Sequence, residues 1–272
     1  MLFHYPERPL HLSEDRERNS TSAIWSRTPN RQAVIFVHGY GGNAIATWTE
    51  FHKLLPQSPG FEQYDLIFYG HNGLYATTNA SAILFYQFLD QLFSHPPSII
   101  NASLPFLAAR PANFEYERFV IVAHSLGAVI CRWALLYAHE KGADWLNKTG
   151  MVFFAPAHMG AKVVQLVQEA AIGTFGILAA YWRFKSPLID ELKEGSALLQ
   201  TLRERTVHAI QTGYSPYLVA KQVVIAEKDR IVSNLPFPFD PPALTLPGTS
   251  HCSVCKPHIN FLDPIDILSK AL

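Results

Sequence analysis

The sequence lacks an excess of charge of either sign. Its 272 residues contain 22 Lys and Arg against 22 Asp and Glu, and charged residues make up 16% of the chain. A balanced charge creates no long-range field that would attract a polyanion such as nucleic acid. We therefore expect no nucleic-acid partner.

Cysteine is also scarce, with three residues in the chain. An odd number of cysteines does not suggest a disulfide framework, and the simplest expectation is a reducing compartment. Cys252-Ser-Val-Cys255 has C-x-x-C spacing, but a zinc site would need two more ligands at recognisable spacing, and a redox motif would open a helix early in a thioredoxin-like domain. We expect the two thiols to pack beside a loop, without a metal.

Long uninterrupted apolar runs are missing as well. The first 18 residues place charges and prolines where a secretory signal would need an apolar stretch, so we expect no export signal and a cytoplasmic or other intracellular location. The most apolar segment, 163–182, is interrupted by Gln165, Gln168, Glu169 and two glycines. A spanning helix needs about 20 consecutive apolar residues, so this segment is not predicted to cross a membrane.

What the chain does contain is hydrophobic residues, 49% in all, grouped in short β-branched runs. Continuous apolar runs separated by helical segments are typical of a parallel sheet that is covered on both faces. The sequence therefore predicts an α/β fold, with residues 1–30 as an N-terminal arm or leading strand and 31–272 as one domain. Residues 94–117 contain four prolines and predict a long loop. The predicted strands are 33–37, 64–69, 119–122, 151–154 and 223–226.

One strand is followed directly by a Ser-containing turn and a helix. The motif is Ala123-His-Ser125-Leu-Gly127, after the apolar run 119–122. A sharp turn from strand to helix holds the residue at its tip in a strained conformation, which requires small residues two positions before and after it. Ala123 and Gly127 meet this requirement, so we predict that Ser125 is a nucleophile.

These motifs resemble the α/β-hydrolase superfamily, and more narrowly the lipase-like serine esterases that include the serine-active-site hydrolases of lipid remodelling. His38-Gly-Tyr-Gly-Gly42 is similar to their oxyanion loop, 154–160 to the segment after their next strand, and His251-Cys-Ser-Val-Cys-Lys-Pro257 to their histidine motif. The resemblance covers residues 33–258. It implies an α/β-hydrolase fold, with a mostly parallel central sheet, helices on both faces and a lid insert.

A serine nucleophile needs a general base and an acid that orients the base. In this fold the chain order is Ser, then acid, then His. Asp229, just after the strand 223–226, and His251 fit that order. Glu227 is the nearest rival for the acid, while Asp240 has no strand before it.

The negative charge that develops on the substrate oxygen needs backbone donors. We expect the N–H group of Leu126 to be one of them. The resemblance implies Tyr40 as the second, with Gly41 as the next candidate. His38 and His124 are interpreted as structural residues that pack or hydrogen-bond near the site.

The apolar segment 163–182 allows two interpretations. It is either a buried helix with a loop, or a lid over the site that contacts acyl chains or a membrane surface. We favour a lid or pocket wall, within a lid or cap region at 160–215, because the resembling enzymes carry such inserts here. Peripheral membrane contact through 163–182 follows from the same interpretation.

The residues together predict a serine hydrolase that cleaves carboxylic esters, with lipids or other hydrophobic acyl compounds as substrates and no cofactor or metal. The same Ser-His-Asp triad would also serve an acyltransferase or a thioesterase, which the sequence does not separate from an esterase. A binding protein that keeps the fold without the chemistry is the alternative from another class. The sequence makes no prediction about the oligomeric state.

Overall fold

The computed structural model describes residues 3–10, 21–74, 76–104, 108–162, 164–165, 187–213 and 215–272. The proposed lid, 163–182, lies outside these residues except for Val164 and Gln165, so its role stays a prediction.

Eight strands of the described chain form a single sheet in the order β1-β2-β4-β3-β5-β6-β7-β8. From β4 to β8 every pair is parallel, while β1 and β2 add an antiparallel edge. Part of the segment 1–30 therefore belongs to the sheet. The strands are β1 (Arg8–Leu10), β2 (Thr21–Ile24), β3 (Gln32–Val37), β4 (Asp65–Tyr69), β5 (Arg118–His124), β6 (Thr149–Phe154), β7 (Gln222–Ala226) and β8 (Leu244–Leu246).

The central strands are buried along both faces. Every residue of β4 and β6 is buried, and in β3 and β5 only the first residue is partly exposed. Side chains of a strand alternate between the two faces, so burial of consecutive residues means that both faces are covered. This explains why the strands read as continuous apolar runs, and it confirms the predicted α/β fold class.

The helices pack around this sheet. Helix α4 begins directly after β5 and contacts β3, β5, α2 and α6. Of the 15 residues of α4, 12 are buried, because it lies between the sheet and its neighbouring helices. The helices are α1 (Phe51–Leu54), α2 (Thr78–Ser94), α3 (Pro96–Asn101), α4 (Leu126–Glu140), α5 (Pro187–Glu191), α6 (Ala197–Gly213) and α7 (Asp263–Ala271).

The segment 94–117 is not entirely a loop, because α3 forms within it. Prolines occupy the first two positions of α3, where the missing N–H group costs nothing. Further along, Arg110 forms a buried ion pair with Asp65, which also accepts a hydrogen bond of 2.7 Å from Tyr116. The long connection is thus fixed to the beginning of β4.

The parallel strands bring several loops to one edge of the sheet. Because β3, β5 and β7 run in the same direction, their carboxyl ends lie at the same edge. The loops that follow them contain the predicted oxyanion loop, Ser125 and Asp229. The topology therefore gathers the predicted site from distant parts of the chain.

Candidate active site

Ser125 lies in the tight turn between β5 and α4. Its backbone has φ 53° and ψ −120°, in a region that residues other than glycine rarely adopt. A Cβ atom at Gly127 would lie 2.3 Å from the carbonyl oxygen of Val37. Only glycine therefore lets α4 approach the end of β3 so closely, which is the physical reason for the small residue two positions after Ser125.

The loop after β3 presses against this turn. A Cβ atom at Gly39 would lie 2.9 Å from the Cβ atom of Ser125 and 3.1 Å from Nδ1 of His124. Tyr40 follows Gly39 and is buried. The predicted oxyanion loop is therefore packed beside the predicted nucleophile.

Three side chains form a hydrogen-bonded chain across the site. Nε2 of His251 lies 3.1 Å from Oγ of Ser125, and Nδ1 of His251 lies 2.9 Å from Oδ2 of Asp229. The side chains of His251 and Asp229 are 2% and 0% exposed. A buried hydroxyl, imidazole and carboxylate in this order can activate the hydroxyl for nucleophilic attack.

Asp229 is held as a carboxylate by several donors. Its Oδ1 accepts backbone hydrogen bonds from Ile231 at 2.9 Å and Val232 at 3.2 Å, while Oδ2 faces the ring of His251. Burial alone would raise the pKa of Asp229, but the His251 ring and the two N–H groups together hold this pKa below its usual value. The group thus stays negative beside the imidazole.

The other two candidate acids, Glu227 and Asp240, interact with other residues. Oε2 of Glu227 accepts a hydrogen bond of 2.8 Å from the N–H of Gly248, and its side chain is exposed. Asp240 pairs with the buried guanidinium of Arg132. The structure therefore brings Asp229, rather than Glu227 or Asp240, to His251.

Leu126 is the first residue of α4. The N–H groups of a helix's first turn have no partner within the helix, and the helix dipole gives this end a partial positive charge. The N–H of Leu126 therefore belongs to the positive end of α4, beside Ser125. Tyr40, the second predicted donor, lies in the loop after β3.

A pair of histidines that the sequence interpretation had not connected fixes that loop. The rings of His38 and His71 stack with their centroids 4.0 Å apart. Nε2 of His71 donates to the carbonyl of His38 at 2.9 Å, and the N–H of Gly41 donates to the carbonyl of Gly73 at 3.2 Å. In the parallel sheet, Val37 at the end of β3 pairs with Tyr69 at the end of β4. A histidine follows each of these strand ends within two residues, and this pattern in the sequence could have predicted the contact.

A second anchor holds the loop between β7 and β8. Arg132 of α4 donates to Asp240 and, at 2.8 Å, to the carbonyl of Leu218. Its guanidinium lies 4.0 Å from the ring centroid of Phe237 and 5.0 Å from that of Phe153. The sequence interpretation missed this contact because 108 residues separate the two charges.

Two of the three cysteines have buried side chains. Cys131 and Cys255 are buried thiols, and burial raises the pKa of Cys255 to about 12.

Among the described residues, no group of three or more His, Cys, Asp and Glu side chains is arranged to hold a metal ion. No helix within the described ranges is both long and apolar enough to cross a membrane.

Comparison with known proteins identifies solved structures of similar fold. No family model matches the sequence, and no curated protein sequence matches it. Among solved structures, the mature lipase BlEst2 of Bacillus licheniformis is 14% identical with a TM-score of 0.52, covering 87% of this chain and 91% of that one.

Two further structures are similar over nearly the whole chain. The monoacylglycerol lipase of Paleococcus ferrophilus is 13% identical, with a TM-score of 0.52 and coverage of 94% of this chain and 98% of its own. Esterase B from Lactobacillus rhamnosis is 12% identical, with a TM-score of 0.53 and coverage of 99% and 85%.

These similarities, together with the mostly parallel eight-stranded sheet, show that the protein has the α/β-hydrolase fold. The predicted fold class is therefore confirmed. Similarity at identities of this size shows the fold alone, and the chemistry has to be argued from the site itself.

Proposed function

We propose that this protein is a serine hydrolase that cleaves carboxylic esters through an acyl-enzyme. The observation that carries the proposal is the hydrogen-bonded chain from Oγ of Ser125 through His251 to Asp229, with separations of 3.1 and 2.9 Å. It joins a nucleophile, a base and an orienting carboxylate in the geometry that acyl transfer requires.

In the first half of the reaction, Nε2 of His251 takes the proton of Ser125 while Oγ attacks the ester carbonyl. Asp229 stabilises the imidazolium that forms. The N–H of Leu126 and a donor from Tyr40 hold the oxyanion. The tetrahedral intermediate then collapses, the C–O bond to the alcohol breaks, and His251 returns its proton to the departing alcohol.

In the second half, His251 takes a proton from water, and the resulting hydroxide attacks the acyl-enzyme carbonyl. Collapse of this intermediate breaks the bond to Ser125, whose Oγ recovers the proton from His251. The products are a carboxylic acid and an alcohol, and no cofactor takes part. An acyltransferase or thioesterase would differ only in the acceptor or in the leaving group.

Hydrophobic acyl substrates, lipids among them, are the proposed class. The solved structures that resemble this chain include proteins named as lipases and an esterase, and this supports an ester over other acyl compounds. A series of p-nitrophenyl esters of increasing chain length, assayed beside a phospholipid and a thioester, tests the class. Turnover of the thioester alone would contradict the ester assignment.

The nucleophile is tested with a fluorophosphonate, which reacts covalently with an activated serine. Wild-type protein should be labelled, and Ser125→Ala should not be, because among the described residues the hydroxyl that is hydrogen-bonded to His251 is that of Ser125. The masses of tryptic peptides identify the labelled residue. Equal labelling of both proteins would show that Ser125 is not the nucleophile.

The acid is tested by two matched substitutions. Asp229→Asn keeps the shape but removes the charge beside His251, so we expect kcat to fall by about 10³- to 10⁴-fold, as for the loss of a triad acid. Glu227→Gln is the control, since Glu227 contacts Gly248 instead, and its kcat should stay within about twofold of wild type. A larger loss at Glu227 than at Asp229 would reverse the assignment.

A further inference from the structure

His124 lies between the nucleophile and the loop that contains the base. It is the last residue of β5, next to Ser125, and its side chain is buried. Its Nε2 lies 2.9 Å from the backbone carbonyl oxygen of His251. Although 127 residues separate them in sequence, the two rings lie 4.8 Å apart, centroid to centroid.

This contact determines which ring nitrogen of His124 carries a proton. A carbonyl oxygen only accepts, so Nε2 of His124 must carry a proton and donate it. Burial lowers the pKa of His124 to about 3, with a further lowering from the neighbouring His251 and Lys256 and opposing effects of the hydrogen bond to the His251 carbonyl and of Asp229. The ring is therefore a neutral donor and does not add a second positive charge beside His251 when the latter is protonated.

The hydrogen bond completes the restraint of His251. Asp229 fixes the ring through Nδ1, but a ring can be oriented only if the backbone that bears it is also fixed. His251 lies in a turn in which the N–H groups of Ser253 and Val254 donate to the carbonyl of Ser250, both at 3.1 Å. These bonds shape the turn internally, whereas His124 ties it to β5, the strand that ends at the nucleophile.

We propose that His124 is a positioning residue, whose Nε2–H holds the backbone of His251 so that its ring reaches Oγ of Ser125. This inference rests on the proposed function and deepens it, since it assigns a role to the residue before the nucleophile. His124 does not touch the reacting atoms in this role. It sets the distance over which the proton of Ser125 is transferred.

Two substitutions distinguish the effect of losing the hydrogen-bond donor from the effect of losing the volume of the ring. His124→Gln places an amide N–H near the position of Nε2 and should keep the hydrogen bond. His124→Leu fills similar space without a donor. Because a misplacement of about 1 Å can cost about 100-fold in rate, we expect the Leu variant to lose about 10- to 100-fold in kcat with little change in KM, and the Gln variant to recover most of this loss.

His4 offers a matched control. Its Nε2 also lies 2.9 Å from a backbone carbonyl oxygen, that of Tyr64, and its side chain is buried. His4→Leu therefore removes the same kind of hydrogen bond, but between two residues that are not predicted site residues. We expect both Leu variants to lower the melting temperature, and only His124→Leu to lower kcat.

Amide hydrogen exchange supplies a readout that is independent of turnover. Exchange in the turn 250–255 should quicken in His124→Leu and remain slow in His124→Gln. If the Leu variant does not fold, His124→Asn replaces it, since its shorter amide does not reach the carbonyl, and it should show the same losses.

The outcomes distinguish this proposal from the proposed function. Wild-type protein that neither hydrolyses esters nor reacts with a fluorophosphonate would overturn both. An active wild type whose donor-deleted variant keeps its kcat would overturn only the role of His124. Equal loss of kcat in the Gln and Leu variants, or a loss of kcat in His4→Leu as large as in His124→Leu, would also overturn that role.

Discussion

At the scale of single residues, the site depends on one strained backbone conformation. Ser125 is held at φ 53° by three backbone hydrogen bonds. Its N–H donates to Phe154 at 3.1 Å, and its carbonyl accepts from Ala128 at 3.1 Å and from Ala157 at 3.2 Å. Strain of this kind persists only when the surrounding structure fixes it, so the segment after β6 helps to hold Oγ toward His251.

The close approach of Gly127 to β3 gives a prediction at the same scale. In Gly127→Ala the new methyl group would meet the backbone carbonyl of Val37 at 2.3 Å, and backbone cannot move aside as a side chain can. We expect unfolding free energy to fall by about 2 kcal/mol or more and fluorophosphonate labelling to slow, because the turn at Ser125 must shift. Urea denaturation and labelling kinetics measure the two effects.

Gly150→Ala is the control for this substitution. The three atoms nearest to its new methyl group all belong to the side chain of Lys221, with Cε at 2.6 Å, and this flexible chain end can move. Labelling should therefore stay near the wild-type rate. If Gly127→Ala labels as fast as Gly150→Ala, the tight packing of the turn is not needed for the reaction.

The residues of the site differ in how far sequence alone can predict them. Ser125 and Gly127 could be predicted because the strand, the turn and the helix are contiguous, so the pattern is local. His251 and Asp229 followed from chain order and from a family resemblance. The hydrogen-bond partners of His71 and His124 were not predicted, since each depends on which carbonyl oxygen a distant loop brings within about 3 Å.

At the scale of elements, loops are fixed by charged groups that are not part of the predicted triad. The connection between β7 and β8 contains Asp240, whose Oδ1 accepts from the N–H of Ala220 at 2.9 Å while Oδ2 contacts Arg132. The side chains of this pair are 1% and 4% exposed. A buried charge whose partner is removed is strongly unfavourable, so this loop should depend on the pair.

Asp240→Asn tests that dependence. It leaves the guanidinium of Arg132 buried without its counter-charge, and we expect the unfolding free energy to fall by about 3 kcal/mol. Asp190→Asn breaks an exposed pair with Lys193, whose side chains are 77% and 58% exposed, and should change stability by less than about 1 kcal/mol. Urea denaturation of both variants gives the comparison, and equal losses would show that the buried pair is not an anchor.

The predicted loop at 94–117 shows the limit of sequence reasoning at this scale. The prolines predicted a loop, but α3 formed within it because prolines are tolerated in a first helical turn. Arg110 could not be paired with Asp65 from sequence, since 45 residues separate them. The parallel sheet itself was predictable, because burial on both faces leaves a continuous apolar signal in each strand.

At the scale of the whole molecule, buried neutral histidines couple folding to pH. His38, His71, His124 and His158 are all buried, and desolvation lowers the pKa of each. For His71 the pKa falls to about 4 and for His124 to about 3. In the unfolded chain these rings would titrate near the ordinary value of about 6.5.

The sign of the resulting pH dependence follows from proton binding. Between pH 6.5 and the lowered values the unfolded chain binds protons that the folded chain does not, so acid favours unfolding. Wild-type protein should therefore lose unfolding free energy between pH 7.5 and 5.0, by about 2 kcal/mol for each of His71 and His124. Urea denaturation at the two pH values measures this loss.

His124→Gln isolates one contribution to this loss, because glutamine does not titrate and should retain the hydrogen bond to His251. The difference in unfolding free energy between pH 7.5 and 5.0 should shrink by about 2 kcal/mol in this variant. The control His208→Gln replaces an exposed ring on α6, and an equally large shrinkage there would contradict the assignment of this contribution to His124. A wild-type stability that is constant, or that rises, from pH 7.5 to 5.0 would contradict the lowered pKa values of these buried rings.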